Sequence, residues 1–367
     1  MNKIQNILAD MVRLQASDLF VTVGRPPILK ISGNLHELGE YGQFVPADTE
    51  MCAQQLFDRE QSRQAFAAHG EADFSLSLSH IGRFRVNVFR QRGSCAITVR
   101  RIYSQLPDPV ELGIPDTVMG LTSRQKGLVL VTGPAGCGKT TTLAALIDKI
   151  NQERACHILT LEDPIEFLHS HRRSIINQRE IGTDSESYAQ ALRAALRQSP
   201  DVILIGEMRD LETISIALTA AETGHLVLST LHTVGAAKTV DRIIDVFPSS
   251  QQQQVRVQLS TVLQAVVSQQ LLPGIDGSQQ PAFEIMLANP AVRNMIRDGK
   301  TPQIDGVIQM HAAAGMLTME MSLARLLREG QISREDAFFY AVNQEALTRL
   351  VSVAAPDRPD STNPHVF

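Results

Sequence analysis

Gly127–Ile147 reads GLVLVTGPAGCGKTTTLAALI. A short apolar run, GLVLVT, enters a glycine-rich turn, and a helix-forming stretch, TTTLAALIDKI, leaves it. The turn, Gly133-Pro134-Ala135-Gly136-Cys137-Gly138-Lys139-Thr140, fits G-x-x-x-x-G-K-[ST] at every fixed position. Average residue usage produces such a match by accident in roughly 1% of chains this long. The residue types suit phosphate. Glycines let backbone N–H groups turn inward with no Cβ in the way. A helix N-terminus adds partial positive charge. Lys139 supplies a cation for β- and γ-phosphates, Thr140 a hydroxyl for Mg²⁺, and Thr141 an α-phosphate contact. Cys137 stands at a variable position and reads as a loop residue, not a redox centre. The motif says nucleotide binding; hydrolysis needs more.

Downstream, short apolar strands alternate with helices: His157–Glu162, Val202–Gly206 and Leu226–Thr230. Such alternation predicts βαβ units on a parallel sheet, with function at the carboxyl ends of the strands. From about Ser249 the pattern predicts mostly helix, one helix running from the Gln251–Gln254 run through Leu272. The tail at 354–367 has no periodic apolar face and predicts disorder.

Upstream, Ile4, Ile7, Leu8, Met11 and Leu14 recur at helical spacing. Strands are expected at Asp18–Val23, Ile28–Ser32, Asp73–Ser79, Arg83–Gln91 and Cys95–Ile102, and a polar helix over Thr49–Ala68 that stops at Gly70. In Arg83–Gln91 the apolar Phe84, Val86 and Val88 alternate with Arg83, Arg85 and Asn87. Leu106–Pro115 (LPDPVELGIP), with three prolines, reads as an extended linker. The expected organisation is an α+β domain at 1–103, a linker at 104–115 and an α/β domain at 116–353.

The strand VILI ends in Gly206-Glu207. An acid ending a second strand, taken as the neighbour of the P-loop strand, delivers a carboxylate beside the γ-phosphate. Glu207 is the candidate catalytic carboxylate; the alternative is an acid complementing the next helix dipole. Glycine holds the position where Asp-Glu is common. Glu162-Asp163-Pro164-Ile165-Glu166 crowds three more acids at the same edge, and spacing does not say which of Glu162 and Glu166 faces the nucleotide. His225 and His232 flank LVLSTL; each is either structural or a γ-phosphate sensor.

The wider composition is that of an ordinary globular chain of 367 residues, 43% apolar and 20% charged. The 34 basic against 39 acidic residues give −5, which argues against a dedicated nucleic-acid binder. Four cysteines without C-x-x-C spacing argue against a zinc module or disulfide framework. Asp10 and Arg13 interrupt what a signal peptide needs, and no run of about 18 apolar residues occurs. A soluble, cytoplasmic, multi-domain protein is the expectation.

These motifs together resemble the secretion ATPases of type II and type IV pilus systems, specifically the PilT-type retraction motors. The carriers are SDLFVTVGRPP (Ser17–Pro27), GRFRVNVF (Gly82–Phe89), GPAGCGKTTTLAALI (Gly133–Ile147) and LTLEDPIEF (Leu159–Phe167). LRQSPDVILIGEMRDLETI (Leu196–Ile214), AAETGHLVLSTLHT (Ala220–Thr233) and NPAVRNMIRDGK (Asn289–Lys300) follow in order. The last narrows the resemblance to the retraction branch. It implies an α/β fold: a RecA-like P-loop ATPase core with an N-terminal PAS-like α+β domain. It also implies a homohexamer that hydrolyses ATP with Mg²⁺ between the two domains and drives pilus retraction, as in twitching motility. An accessory, non-hydrolysing paralogue is the alternative, and a nucleic-acid translocase is disfavoured by charge.

Residue by residue, the resemblance makes Glu207 the general base, Glu162, Asp163 and Glu166 the family's Asp-box acids, and His225 and His232 its His-box histidines. Arginines of the N-terminal domain reach nucleotide in this family; Arg83, Arg85, Arg100 and Arg101 stand in the matching strands. Implied partners are an inner-membrane platform protein and a paralogous motor ATPase, with the ring at the cytoplasmic face of that membrane through partners only. Ala135 and Cys137 replace the usual Thr and Ser, and Ala291–Met295 varies the retraction motif. Neither a tetracysteine zinc module nor the longer N-terminal extension of assembly ATPases is seen, which favours retraction over extension.

Overall fold

The computed structural model describes residues 2–31, 33–102, 106 and 108–352. The tail at 354–367 therefore lies outside the described residues, as do 103–105 and 107 at the expected domain junction. Two compact units emerge: Met1–Gln105 with Pro164–Leu168, and Leu106–Asp163 with His169–Phe367.

The first unit opens with α1 (Lys3–Arg13), which buries Ile4, Ile7, Leu8 and Met11. Asn2 and Gln5 close a capping box at its start. Strands β1 (Asp18–Val21), β2 (Ile28–Ile31), β3 (Asn34–Glu37), β4 (Glu71–Leu78), β5 (Gly82–Gln91) and β6 (Ser94–Ile102) form one sheet in the order β3-β2-β1-β6-β5-β4. Every pairing in it is antiparallel. β3 escapes sequence reading because its four residues, NLHE, are all exposed and carry no apolar alternation. Phe84, Val86 and Val88 are fully buried with α1 and α2 (Pro46–Leu56).

The helix expected over Thr49–Ala68 is in fact two, α2 and α3 (Glu60–His69). The chain leaves helical geometry at Phe57, whose ring packs 5.6 Å from both Phe66 and Phe74. Aromatic burial outweighs the small gain from continuing a helix. Gly70 does stop α3, in the left-handed conformation at φ +77°.

In the second unit the stretch expected to be an extended linker instead folds into turns. The amides of Leu112, Gly113 and Ile114 bond to the carbonyls of Asp108, Val110 and Pro109. Ile114 is buried with α4 (Asp116–Met119). Apolar anchoring of Ile114 and Leu112 overrides the stiffness of the flanking prolines.

β7 (Gly127–Thr132) leads into α5 (Lys139–Glu153), then β8 (His157–Glu162), β9 (Ile175–Glu180) and α6 (Tyr188–Ala195). β10 (Val202–Ile205), α7 (Leu211–Glu222), β11 (Leu226–Leu231), α8 (Ala236–Asp245) and α9 (Ser249–Val262) continue the alternation. β12 (Leu263–Pro273) and β13 (Gln279–Leu287) form a hairpin, and α10 (Pro290–Asp298), α11 (Ile304–Met310), α12 (Met319–Arg328), α13 (Arg334–Tyr340) and α14 (Gln344–Ser352) complete it. The sheet order is β13-β12-β7-β11-β10-β8-β9, parallel except for β13. Leu143, Leu146, Ile147 and Ile150 of α5 pack on one face with Val129 and Val131. Residues of α6 to α9 pack on the other with Leu128 and Leu130. Parallel strands covered on both faces read as continuous apolar runs, as β7 and β11 do.

Two expectations fail here. β10 is not the neighbour of β7; β11 lies between them. A strand buried on both faces carries no alternation to tell which strand it pairs with. The helix expected to run through Leu272 ends at Val262, and the following residues form a central strand against β7. Gln269 and Gln270, inside the stretch expected to be helix, are buried and hydrogen-bonded, to Thr142 and to the Tyr340 carbonyl. Val266 and Val267 suit a strand buried on both faces, and that burial decides the conformation.

Candidate active site

The phosphate loop sits where β7 meets α5. Gly133, Gly136 and Gly138 all have φ between +76° and +142°. A Cβ on Gly133 would lie 2.1 Å from the Gln269 carbonyl oxygen, and one on Gly138 would lie 2.9 Å from Gln269 Nε2. Strand β12 thus forms the floor of the loop; its backbone leaves no room for a side chain at Gly133, and one at Gly138 would press on the Gln269 side chain. Gln269 also accepts the Thr142 hydroxyl at 2.7 Å, tying β12 to α5. Helix α5 starts at Gly138 with no side-chain cap, so its first amides are available to an anion. Lys139 is buried, with Nζ donating to the carbonyls of Gly133 and Pro134 at 2.9 and 2.7 Å. Pro134, Ala135 and Gly136 are exposed, and Thr140 and Thr141 are half-buried. Cys137 is buried, and desolvation pushes its thiol up, which suits an inert loop residue.

This cradle predicts a large response to one methyl group. Gly133→Ala should lower the melting temperature by about 5–10 °C, from overpacking worth ~2 kcal/mol or more. Calorimetry checks it; an unchanged melt would mean the loop floor yields.

Glu207 follows β10 on a pinned turn. The Thr230 hydroxyl donates to the Gly206 carbonyl at 2.6 Å, and the Met208 amide bonds to the Thr230 carbonyl. Two strand spacings, about 10 Å, separate β10 from β7 at one sheet edge. Glu207 Oε2 is paired with Arg209 Nε at 2.6 Å and stands 3.4 Å from His232 Nε2. These three residues, with Thr230 and Arg242, line a cavity of about 390 Å³. The glycine that replaces the common Asp now has a cause: a Cβ on Gly206 would meet Tyr188 Oη at 2.7 Å. Burial, then the carboxylates of Asp163, Glu207 and Glu162, raise the Tyr188 hydroxyl. Sequence reading missed Tyr188, since a lone tyrosine opening a helix carries no signal.

The other acids separate. Glu162 is buried and accepts from Thr160 Oγ1 and Gln178 Nε2. Asp163 and Glu166 are exposed, and Glu166 belongs to the segment grouped with the first unit. The two histidines also part company. His225 sits at the amino end of β11, its Nδ1 against the Ala220 carbonyl and its own carbonyl accepting from Gly127. One strand length, about 20 Å, lies between it and His232. Of the two, only His232 stands at the carboxyl end of β11, beside Glu207.

Among the arginines, register puts Arg83, Arg85 and Arg100 on the polar face of the first unit's sheet. Arg101 pairs with Phe84 on the helix-covered face and donates to the Val12 carbonyl. Arg100 holds Asp18 at 2.8 Å, and Arg85 lies 4.0 Å from Asp73.

A second cavity, about 570 Å³, flanks the phosphate loop; Gly138, Thr141, Gln269, Arg325 and Glu329 are among its walls. Its size suits a nucleoside. Arg325 lies in helix α12 and Glu329 is its C-cap; no local motif marks either.

A family model described as "Type II/IV secretion system protein" matches residues 74–324. The chain belongs to that family. Within the type II/IV secretion family it is 44% identical to the "Type IV pilus retractation ATPase PilT" of Pseudomonas aeruginosa, over 91% of this chain and 96% of that one. It is 47% identical to a "Twitching motility protein" of Neisseria gonorrhoeae, over 88% of this chain and 86% of the relative. A crystal structure of the pilus retraction motor PilT with bound ADP superposes with a TM-score of 0.89 at 46% identity, covering 95% of this chain and all of that one. The resemblance to retraction motors, read first from motifs, therefore extends to the fold.

Proposed function

We propose that this chain is an ATP-hydrolysing motor subunit that drives type IV pilus retraction, as in twitching motility. The observation that carries the reading is the joint presence, on a fold matching ADP-bound PilT, of a glycine cradle shaped by β12 and a Glu207–His232 pair at the same sheet edge. The residues fit ATP: amides of 135–139 and Lys139 for the phosphates, and the cavity beside Thr141 for base and ribose. Mg²⁺ fits the half-buried Thr140 hydroxyl and, when bound, neutralises phosphate charge. Glu207 accepts the proton of the attacking water, and His232 orients that carboxylate. Glu162 shapes the edge from a buried position.

The assembly is a homohexamer working with an inner-membrane platform protein and a paralogous motor ATPase, held at the cytoplasmic face through those partners. The first unit is read as PAS-like, on its antiparallel sheet with helices against one face. Among the described residues no helix is long and apolar enough to cross a membrane. Arg83, Arg85 and Arg100 are the candidates to complete the nucleotide site. Arg83→Ala with Arg85→Ala should cut turnover at least tenfold while ATP binding to the phosphate loop persists; unchanged turnover removes both from the site.

The reading is tested by ATPase assay on purified protein and by restoring twitching to a strain lacking its retraction motor. Hydrolysis with restored twitching is expected. Nucleotide binding without turnover would favour the accessory-subunit alternative.

A further inference from the structure

Helix α8 begins at Gly235, which has no side chain to cap the amides that a helix start leaves open. The caps come from the sheet. Ser268 on β12 and Glu284 on β13 are register partners. Ser268 Oγ accepts the Gly235 amide at 2.9 Å, and Glu284 Oε1 accepts the Ala236 amide at 2.6 Å. Thr239 ties the same turn from the helix side, donating to the Gly235 carbonyl and meeting Thr233 Oγ1 at 2.7 Å. This turn begins at His232, 3.4 Å from Glu207.

Glu284 is only 6% exposed. A carboxylate so buried is costly unless dipoles hold it, and here a helix N-terminus does. A cavity of about 360 Å³ lies beside it, lined also by Asp305 of α11, Glu320 of α12 and Arg349 of α14. Glu320 is occupied by the Asn343 amide at 2.8 Å, and Lys238 of α8 acts on Asp305. Burial pushes Glu284 up to about 7, helped by Asp305 and Glu320 and opposed by the amides of Ala236 and Met319.

We propose that Glu284 is a positioning residue for ATP turnover: its carboxylate fixes the start of α8 and thereby the reach of His232 to Glu207. The proposal rests on the ATPase reading above. An ionised carboxylate accepts amide hydrogen bonds more strongly than a neutral acid. The clamp is therefore tight above about pH 7 and loosens as pH falls through that value, when the group takes up a proton. Turnover falls with it, while ATP affinity, set at the phosphate loop, does not.

The test measures steady-state ATPase activity from pH 6 to 9 for wild type, Glu284→Gln, Glu284→Asp, Ser268→Ala, His232→Ala and the Glu284→Gln/His232→Ala pair. Amide-exchange protection of Gly235 and Ala236 is followed over the same range. For wild type we expect turnover to fall on the acid side of about pH 7; for Glu284→Gln we expect about tenfold lower kcat at pH 8, KM for ATP within twofold, and loss of that acid limb. Glu284→Asp should recover part of the rate, and glutamine should add nothing in the His232→Ala background. Protection at the two amides should fall below pH 7 in wild type and be low throughout in Glu284→Gln. A wild-type rate and pH profile in Glu284→Gln, or an effect that multiplies independently with His232→Ala, overturns the proposal. Should glutamine prevent folding, Ser268→Ala, which removes only the Gly235 bond, decides: lowered kcat at constant KM supports the clamp, and wild-type kinetics overturn it. A wild type without turnover sinks the ATPase reading instead, and amide protection then judges the clamp by itself.

Discussion

Glu207→Gln loses ATP turnover by about 10²–10⁴-fold, the range of a general base or water-orienting carboxylate, and keeps ATP binding. Glutamine preserves the size of the side chain and its capacity to bond Arg209, yet cannot take a proton. The turn that carries it is held by the Thr230 hydroxyl and the Met208 amide, neither of which the substitution touches. Assembly should therefore survive. Affinity and turnover measured on one preparation separate the outcomes. Turnover within a few-fold of wild type would reduce Glu207 to an acid at the start of the following helix. The base would then be sought at Glu162 or Glu166, and Glu162 is already engaged by Thr160 and Gln178.

Lys139→Ala weakens ATP binding by at least tenfold, about 1.4 kcal/mol or more. The ammonium is held inside the loop by the carbonyls of Gly133 and Pro134. Removing it takes away a charge that a buried anion needs and leaves two carbonyls without that donor. Titration with a nucleotide analogue reads the effect directly. Equal affinity in the two proteins would place the nucleotide elsewhere. The fold should hold, since the α5 core of Leu143, Leu146, Ile147 and Ile150 lies beyond the first turn.

Much of the site was legible because its signals are local. The phosphate loop needs glycines, a lysine and a threonine at set intervals, and each is adjacent in sequence to the next. Glu207 stood out as a candidate because it follows the end of a strand. Other parts had no local signal. Gln269 lies 127 positions from the Thr142 it bonds, and its surrounding sequence was read as a helix. The α8 caps are Ser268 and Glu284, on a hairpin that periodicity did not separate from helix. His225 and His232 looked equivalent as neighbours of one strand, and only the direction of that strand told them apart.

By itself the sequence determined the nucleotide chemistry, the α/β character of the core and the polar face of β5, because each rests on residue types at short, fixed spacing. Tertiary structure alone decided that β11 parts β10 from β7, that 263–272 is a strand, and that 49–68 breaks at Phe57. Strand order has no local signal at all; in the other two cases tertiary burial overrode local preference, since propensity differences amount to tenths of a kcal/mol per residue and a buried side chain to about 1.5–3. The same ordering of energies applies at the candidate site: its motif residues are marked by local sequence, while the residues packed around them are chosen by burial.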